Sequence, residues 1–104
     1  MLEEIRKKLA EVIDFDNRKM FGANAFQVNG IVFGMVKDDV FYLRSNDEDC
    51  EKYIKAGMTN FNPRNKGKGM PYWVVPQVVI DDKAKLGLWV SEALAIAIAA
   101  KKMK

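Results

Sequence analysis

Lys19 to Arg44, K-M-F-G-A-N-A-F-Q-V-N-G-I-V-F-G-M-V-K-D-D-V-F-Y-L-R, holds three apolar runs separated by two short polar pairs. The first pair is Asn29-Gly30. A type I′ hairpin turn needs positive φ at both central positions, and Asn and Gly tolerate that conformation better than other residues. The second pair, Asp38-Asp39, reads as another two-residue turn. The stretch therefore predicts a three-stranded antiparallel meander.

The side-chain period of a strand is two, so these turns fix which residues share a face. Val28 faces Ile31, Phe26 faces Phe33, Asn24 faces Met35, and the second turn adds Val40 and Tyr42. Phe26, Val28, Ile31, Phe33, Met35 and Tyr42 then form one bulky apolar face. The other face carries Ala23, Ala25 and Gly34 at its middle, with Phe21, Gln27, Val32, Val36, Phe41 and Leu43 around them. A helix can lie close to such small residues. Antiparallel sheets with one wet face alternate apolar with polar, and this one does not. Either helices cover both faces or one face meets another chain. A chain of 104 residues leaves few helices for the purpose, so the expectation is a homodimer through the bulky face. A one-residue slip at the second turn, or a C-terminal helix wrapped around the sheet, would shelter that face within one copy instead.

Outward from the meander, Leu2, Ile5, Leu9, Val12 and Ile13 recur at helical spacing and predict a helix over 2–13. Glu3–Lys7 and Glu4–Lys8 stand four apart on its outer face, in the favourable order. After the meander, Ser45 and Glu48 fit a capping box for a second helix with Cys50, Tyr53 and Ile54 inward and Gly57 at its end. Residues 58–63 and 70–76 read as two more strands. Pro71 puts the second at an edge or a bulge, and the basic loop 64–69 lies at the hairpin tip. Asp81 or Asp82 caps a last helix to about Lys102, with Leu86, Trp89, Val90, Ala93, Leu94, Ala97 and Ala100 as its core stripe. Gly87 within it predicts close packing against Trp73 or the sheet. The fold expected is α+β: a two-layer sandwich with a five-stranded antiparallel sheet, in the order α-β-β-β-α-β-β-α, forming a single domain over residues 1–104.

Composition narrows the function. Nearly half of the chain is apolar and 30% is charged, an ordinary globular balance. No apolar run reaches membrane-span length, and M-L-E-E-I-R-K-K-L has no apolar core of a secretory signal. One cysteine, Cys50, allows no intrachain disulfide, which fits a reducing cytoplasm. The chain has no histidine, so the commonest general acid/base and metal ligand is missing. Cys50 lies on a buried stripe among Asp47, Glu48, Asp49 and Glu51, which oppose a thiolate. Helix-start chemistry accounts for the Asp47-Glu48-Asp49 cluster, which lacks the spacing of a Ca²⁺ loop. Asp38-Asp39 and Asp81-Asp82 are explained as turn and cap residues. No motif calls for a cofactor or a metal, and a non-enzyme is expected.

The charge is unevenly spread. Residues 1–62 hold nine Lys/Arg against eleven Asp/Glu, and residues 63–104 hold eight against three. Arg64, Lys66 and Lys68 at the hairpin tip, with Lys101, Lys102 and Lys104 at the C-terminal end, could meet phosphates of a nucleic acid. Tyr72 and Trp73 could stack on bases if exposed. The K-G-K-G loop lacks the spacing of a P-loop.

Met20-Phe21-Gly22, Asn29-Gly30, Phe33-Gly34, Tyr42-Leu43-Arg44, Asn46-Asp47, Gly57-Met58, Phe61, Met70-Pro71-Tyr72-Trp73, Pro76, Trp89 and Ala93 together resemble the TfoX N-terminal domain family, bacterial proteins linked to regulation of competence genes. The resemblance spans nearly the whole chain in order. It implies an α-β(3)-α-β(2)-α fold akin to type III secretion chaperones, which are dimers, and it brings no catalytic residues. Two departures stand out. Ala23-Asn24-Ala25 replaces glycines usual in the family, and the second, helical domain of the full-length regulators is not found here. The functional expectation is a cytoplasmic, non-enzymatic regulatory or adaptor module that acts through protein contacts. The alternative is a nucleic-acid-binding regulator using the basic residues. A small-molecule sensor would require an apolar pocket between sheet and helices.

Overall fold

The computed structural model describes residues 2–20, 22–62, 67 and 69–102. In chain order the elements are α1 (Leu2–Ala10), β1 (Asp16–Met20), β2 (Ala23–Val28), β3 (Ile31–Lys37), β4 (Val40–Arg44), α2 (Glu51–Lys55), β5 (Tyr72–Val74), α3 (Gln77–Ile80) and α4 (Lys83–Lys102). The five strands form one antiparallel sheet in sequential order, β1 to β5. Both tight turns form as their residues dictate: Asn29 and Gly30 have φ of 52° and 79°, and Asp38 and Asp39 have 51° and 63°.

The register holds one departure from strict alternation. Val28 pairs with Ile31 and Gln27 with Val32, but Phe26 then pairs with Gly34 rather than Phe33. Phe33 is the extra residue of a β-bulge, and the slip lies in the first hairpin, not at the second turn. A bulge places two consecutive residues against one, so the alternation reverses across it. Phe26, Phe33, Val36, Phe41 and Leu43 consequently all join a single core with the helices. Phe26 contacts Phe15, Phe33 and Phe41 at ring-centroid distances of 5.4, 6.5 and 6.2 Å. Gly34 is required here. A Cβ at this position would lie 2.8 Å from the Tyr42 carbonyl oxygen and 3.0 Å from Leu43 Cδ2.

The helical layer meets the sheet on that one face. Ile5 and Leu9 of α1, Tyr53 of α2, Val79 and Ile80 of α3, and Leu86, Val90 and Ala93 of α4 share the core. Tyr53 sits between the two tryptophans, 4.8 Å from the Trp89 ring and 6.1 Å from Trp73. Burial, with a smaller contribution from the Glu92 charge, raises its phenol above the ordinary range. Lys52 closes this junction, pairing with Glu92 at 2.7 Å while its ammonium lies 4.3 Å from the Trp89 ring centroid.

Several local readings change. The polar stretch Asp16–Met20 is a strand, so four consecutive strands stand where a three-stranded meander is predicted. The second hairpin forms in reduced form. Phe61 N–H donates to the Tyr72 carbonyl and Val74 N–H to the Thr59 carbonyl, but among the described residues only Asn60 and Trp73 make a bridge. Ser45 is not the helix cap: its N–H donates to the Pro71 carbonyl, extending the β4–β5 ladder. Asn46 holds the turn that precedes the helix, its Oδ1 accepting from the N–H groups of Glu48 and Asp49 at 3.0 and 2.6 Å, and α2 starts after Cys50 with no side-chain cap. Ile54, expected inside, is 56% exposed. Asp82 caps α4 by accepting from Lys85 N–H at 3.1 Å, while Asp81 pairs with Lys8 of α1 at 2.9 Å. Gly87 faces Val12, not Trp73 or the sheet.

Candidate functional site

The face of the sheet turned away from the helices is shaped by small residues at its centre. Ala23 and Ala25 of β2 leave a cleft of about 290 Å³, bounded on β3 by Val32 and Met35. Met20 and Lys37 stand at one side, and Phe61, Met70 and Tyr72 at the other. Phe61 reaches this face because the Thr59–Phe61 segment runs beside β5, and its ring meets Tyr42 edge-on at 5.4 Å. Burial, and to a lesser degree the Asp38 charge, raises the Tyr42 phenol above its ordinary value.

A second groove adjoins the cleft across Val32 and Tyr72. Arg44 at the end of β4 and Lys101 in the last turn of α4 line it, together with Ile31, Ala97 and Ala100. The Arg44 guanidinium lies 5.7 Å from the Tyr72 ring centroid, and its Nε is buried with no hydrogen-bond partner. A third groove, on the other side of Met70, is bordered by Ile54, Cys50, Pro71 and Trp73. Ile54 and Met70 are 56% and 46% exposed, so an apolar strip runs out of the cleft over Met70 towards α2.

The structure separates the six residues expected to share one bulky face. Phe26 and Phe33 are fully buried under the helices, with Val28 packed beside them, and Ile31 meets α4 across the second groove. Met35 and Tyr42 pair with each other on the opposite side. The reason is the bulge at Phe33. Among the basic residues, Lys101 and Lys102 are exposed at the end of α4, whereas Arg64, Lys66, Lys68 and Lys104 lie outside the described residues. Cys50 is buried in the core cluster, its Sγ 3.8 Å from the Asp47 carbonyl oxygen. Among the described residues, no three Cys, Asp or Glu side chains converge as a metal site.

The sequence reading did not anticipate Arg44, Met70 or the cleft. The signal was available in Ala23 and Ala25, whose small size marks a concave surface. Strict alternation assigned that concavity to the helical side, one bulge away from its actual place.

The TfoX N-terminal domain family model matches residues 7–97. The chain belongs to this family. The match runs from α1 through the described core to Ala97 of α4, and so includes every element that lines the cleft. TfoX N-terminal domains are associated with competence regulation. A comparison with curated proteins finds no match. No helix among the described residues is long and apolar enough to cross a membrane.

Proposed function

We propose that the chain is a non-enzymatic regulatory module of the competence-regulator type, acting in the cytoplasm through protein contacts, of which self-association is the first. The observation that carries this reading is the apolar strip formed by Ile54 and Met70, exposed by about half and continuous with the cleft. Exposed contiguous apolar surface is costly in water and marks interaction sites. Methionine suits such a surface, because its flexible, polarisable side chain adapts to varied partners. The contact surface is thus moved from the centre of the meander to its outer margin, since Phe26 and Phe33 already serve the chain's own core.

Sedimentation equilibrium tests the reading. The wild-type chain is expected to be dimeric at micromolar concentration, and Ile54→Glu to be monomeric with an unchanged melting temperature. A wild-type monomer throughout this range, or a dimer indifferent to Ile54→Glu, removes the proposal. The nucleic-acid alternative retains only Lys101 and Lys102 among the described residues, both at one helix end, and is the weaker reading.

A further inference from the structure

We propose that the cleft on the helix-free face, with the adjoining Arg44 groove, is a binding site for a medium-chain alkyl carboxylate, an amphipathic anion with an unbranched apolar tail. The tail would lie over Ala23, Ala25 and Met35, and the carboxylate would pass Val32 and Tyr72 to reach Arg44.

Three observations place the two ends of the ligand. The cleft is walled almost wholly by aliphatic, thioether and aromatic groups, and its volume of about 290 Å³ falls just short of the range for drug-sized pockets, roughly 300–1,000 Å³, which suits a slim ligand. An unbranched chain fits such a floor, because two alanines in register on one strand make a channel and not a bowl. The second groove holds Arg44 and Lys101, and no carboxylate is among the described residues lining either space. Arg44 is held in place there, its Nε–H buried and its guanidinium 5.7 Å from the Tyr72 ring centroid. A carboxylate lying in the groove meets the positive charge of Arg44 and Lys101 and can take a charge-assisted bond from the guanidinium. Lys37, at the far end of the cleft, is already engaged by a partner, so the polarity of the site is set by Arg44.

The argument for this site does not rest on the protein-contact reading: Ile54 lines neither of its two spaces, although Met70 belongs both to the cleft and to the contact strip. The test is a titration of the full chain with decanoate and, separately, decanol, followed by ¹⁵N–¹H NMR below the decanoate micelle concentration. Decanoate is expected to bind saturably, shifting the amides of Ala25, Val32, Met35 and Tyr72. Decanol should bind about tenfold more weakly, the loss expected for one charge-assisted hydrogen bond. Arg44→Gln should bring decanoate down to the level of decanol, and Ala25→Leu should abolish both by filling the floor. If Ala25→Leu does not fold, Ala23→Val gives a smaller filling change on the same floor, with weakened binding of both ligands expected. The proposal is overturned by the absence of saturable binding, by equal affinity for the two ligands in the wild type, or by shifts confined to residues outside the two spaces. Undiminished binding in the folded filling variant also overturns it.

Discussion

Single atoms decide several features of this domain. The missing Cβ of Gly34 allows the bulged strand to approach Tyr42, whose carbonyl oxygen would otherwise stand 2.8 Å from it. Gly34→Ala is therefore expected to cost about 1–3 kcal/mol, the usual effect of overpacking, read as a lower midpoint in urea denaturation. A second residue-scale contact ties the helices together: Lys8 of α1 donates to Asp81 at 2.9 Å, and Gln77 donates to the same carboxylate oxygen at 3.0 Å. These bonds hold the Asp81 carboxyl below its ordinary 3.8, and the bond to Asp81 is the main reason Lys8 is raised above 10.5. A lowered carboxyl contributes stability that is present above its unfolded value and lost as pH falls through its folded one. The raised Lys8 contributes in the opposite sense, losing its part as pH rises through its own folded value. Melting temperatures measured at successive pH values should show the wild type exceeding Asp81→Asn near neutrality. The gap should close as the solution is acidified below pH 3.8. Both side chains are solvent-exposed, so the gap is small and shrinks with added salt.

At the scale of elements, agreement with the sequence follows the strength of the local signal. The two hairpin turns and the long C-terminal helix were legible because positive-φ residues and a sustained apolar stripe admit few alternatives. Tyr53, Cys50, Leu86, Val90 and Ala93 all lie inside, as their spacing requires. β1 was not legible: D-N-R-K-M carries no apolar alternation, because an edge strand is held by its neighbour's backbone and exposes most of its side chains. The bulge was equally hidden, since two phenylalanines seven residues apart look the same with or without an extra residue between them. Its effect on the candidate site was large, because a slip of one residue exchanges faces. This yields a sharp expectation for Phe33, which is fully buried. Phe33→Glu should abolish cooperative unfolding in circular dichroism, not merely change the oligomeric state. Phe33→Ala should lose about 3–5 kcal/mol, as truncation of a buried aromatic does. Were Phe33→Glu to fold normally as a monomer, the assignment of this residue to the core would be wrong.

For the whole molecule, the decisive asymmetry is that every helix among the described residues packs on one side of the sheet, leaving the other side to be shaped by Ala23, Ala25, Phe61 and Met70. How the sheet ends at its two borders bears on the manner of any assembly. At the β1 border, Asp16, Arg18 and Lys19 place charges along the outermost strand, which discourages a stranger's backbone from lying alongside. At the other border, Thr59 to Phe61 already occupies the hydrogen-bonding positions of Tyr72 and Val74. Both rims therefore disfavour an incoming β-strand, β1 by its charges and β5 by the segment already beside it. Association through side chains is then the expected mode, and point substitutions should tune it without disturbing the ladder beneath.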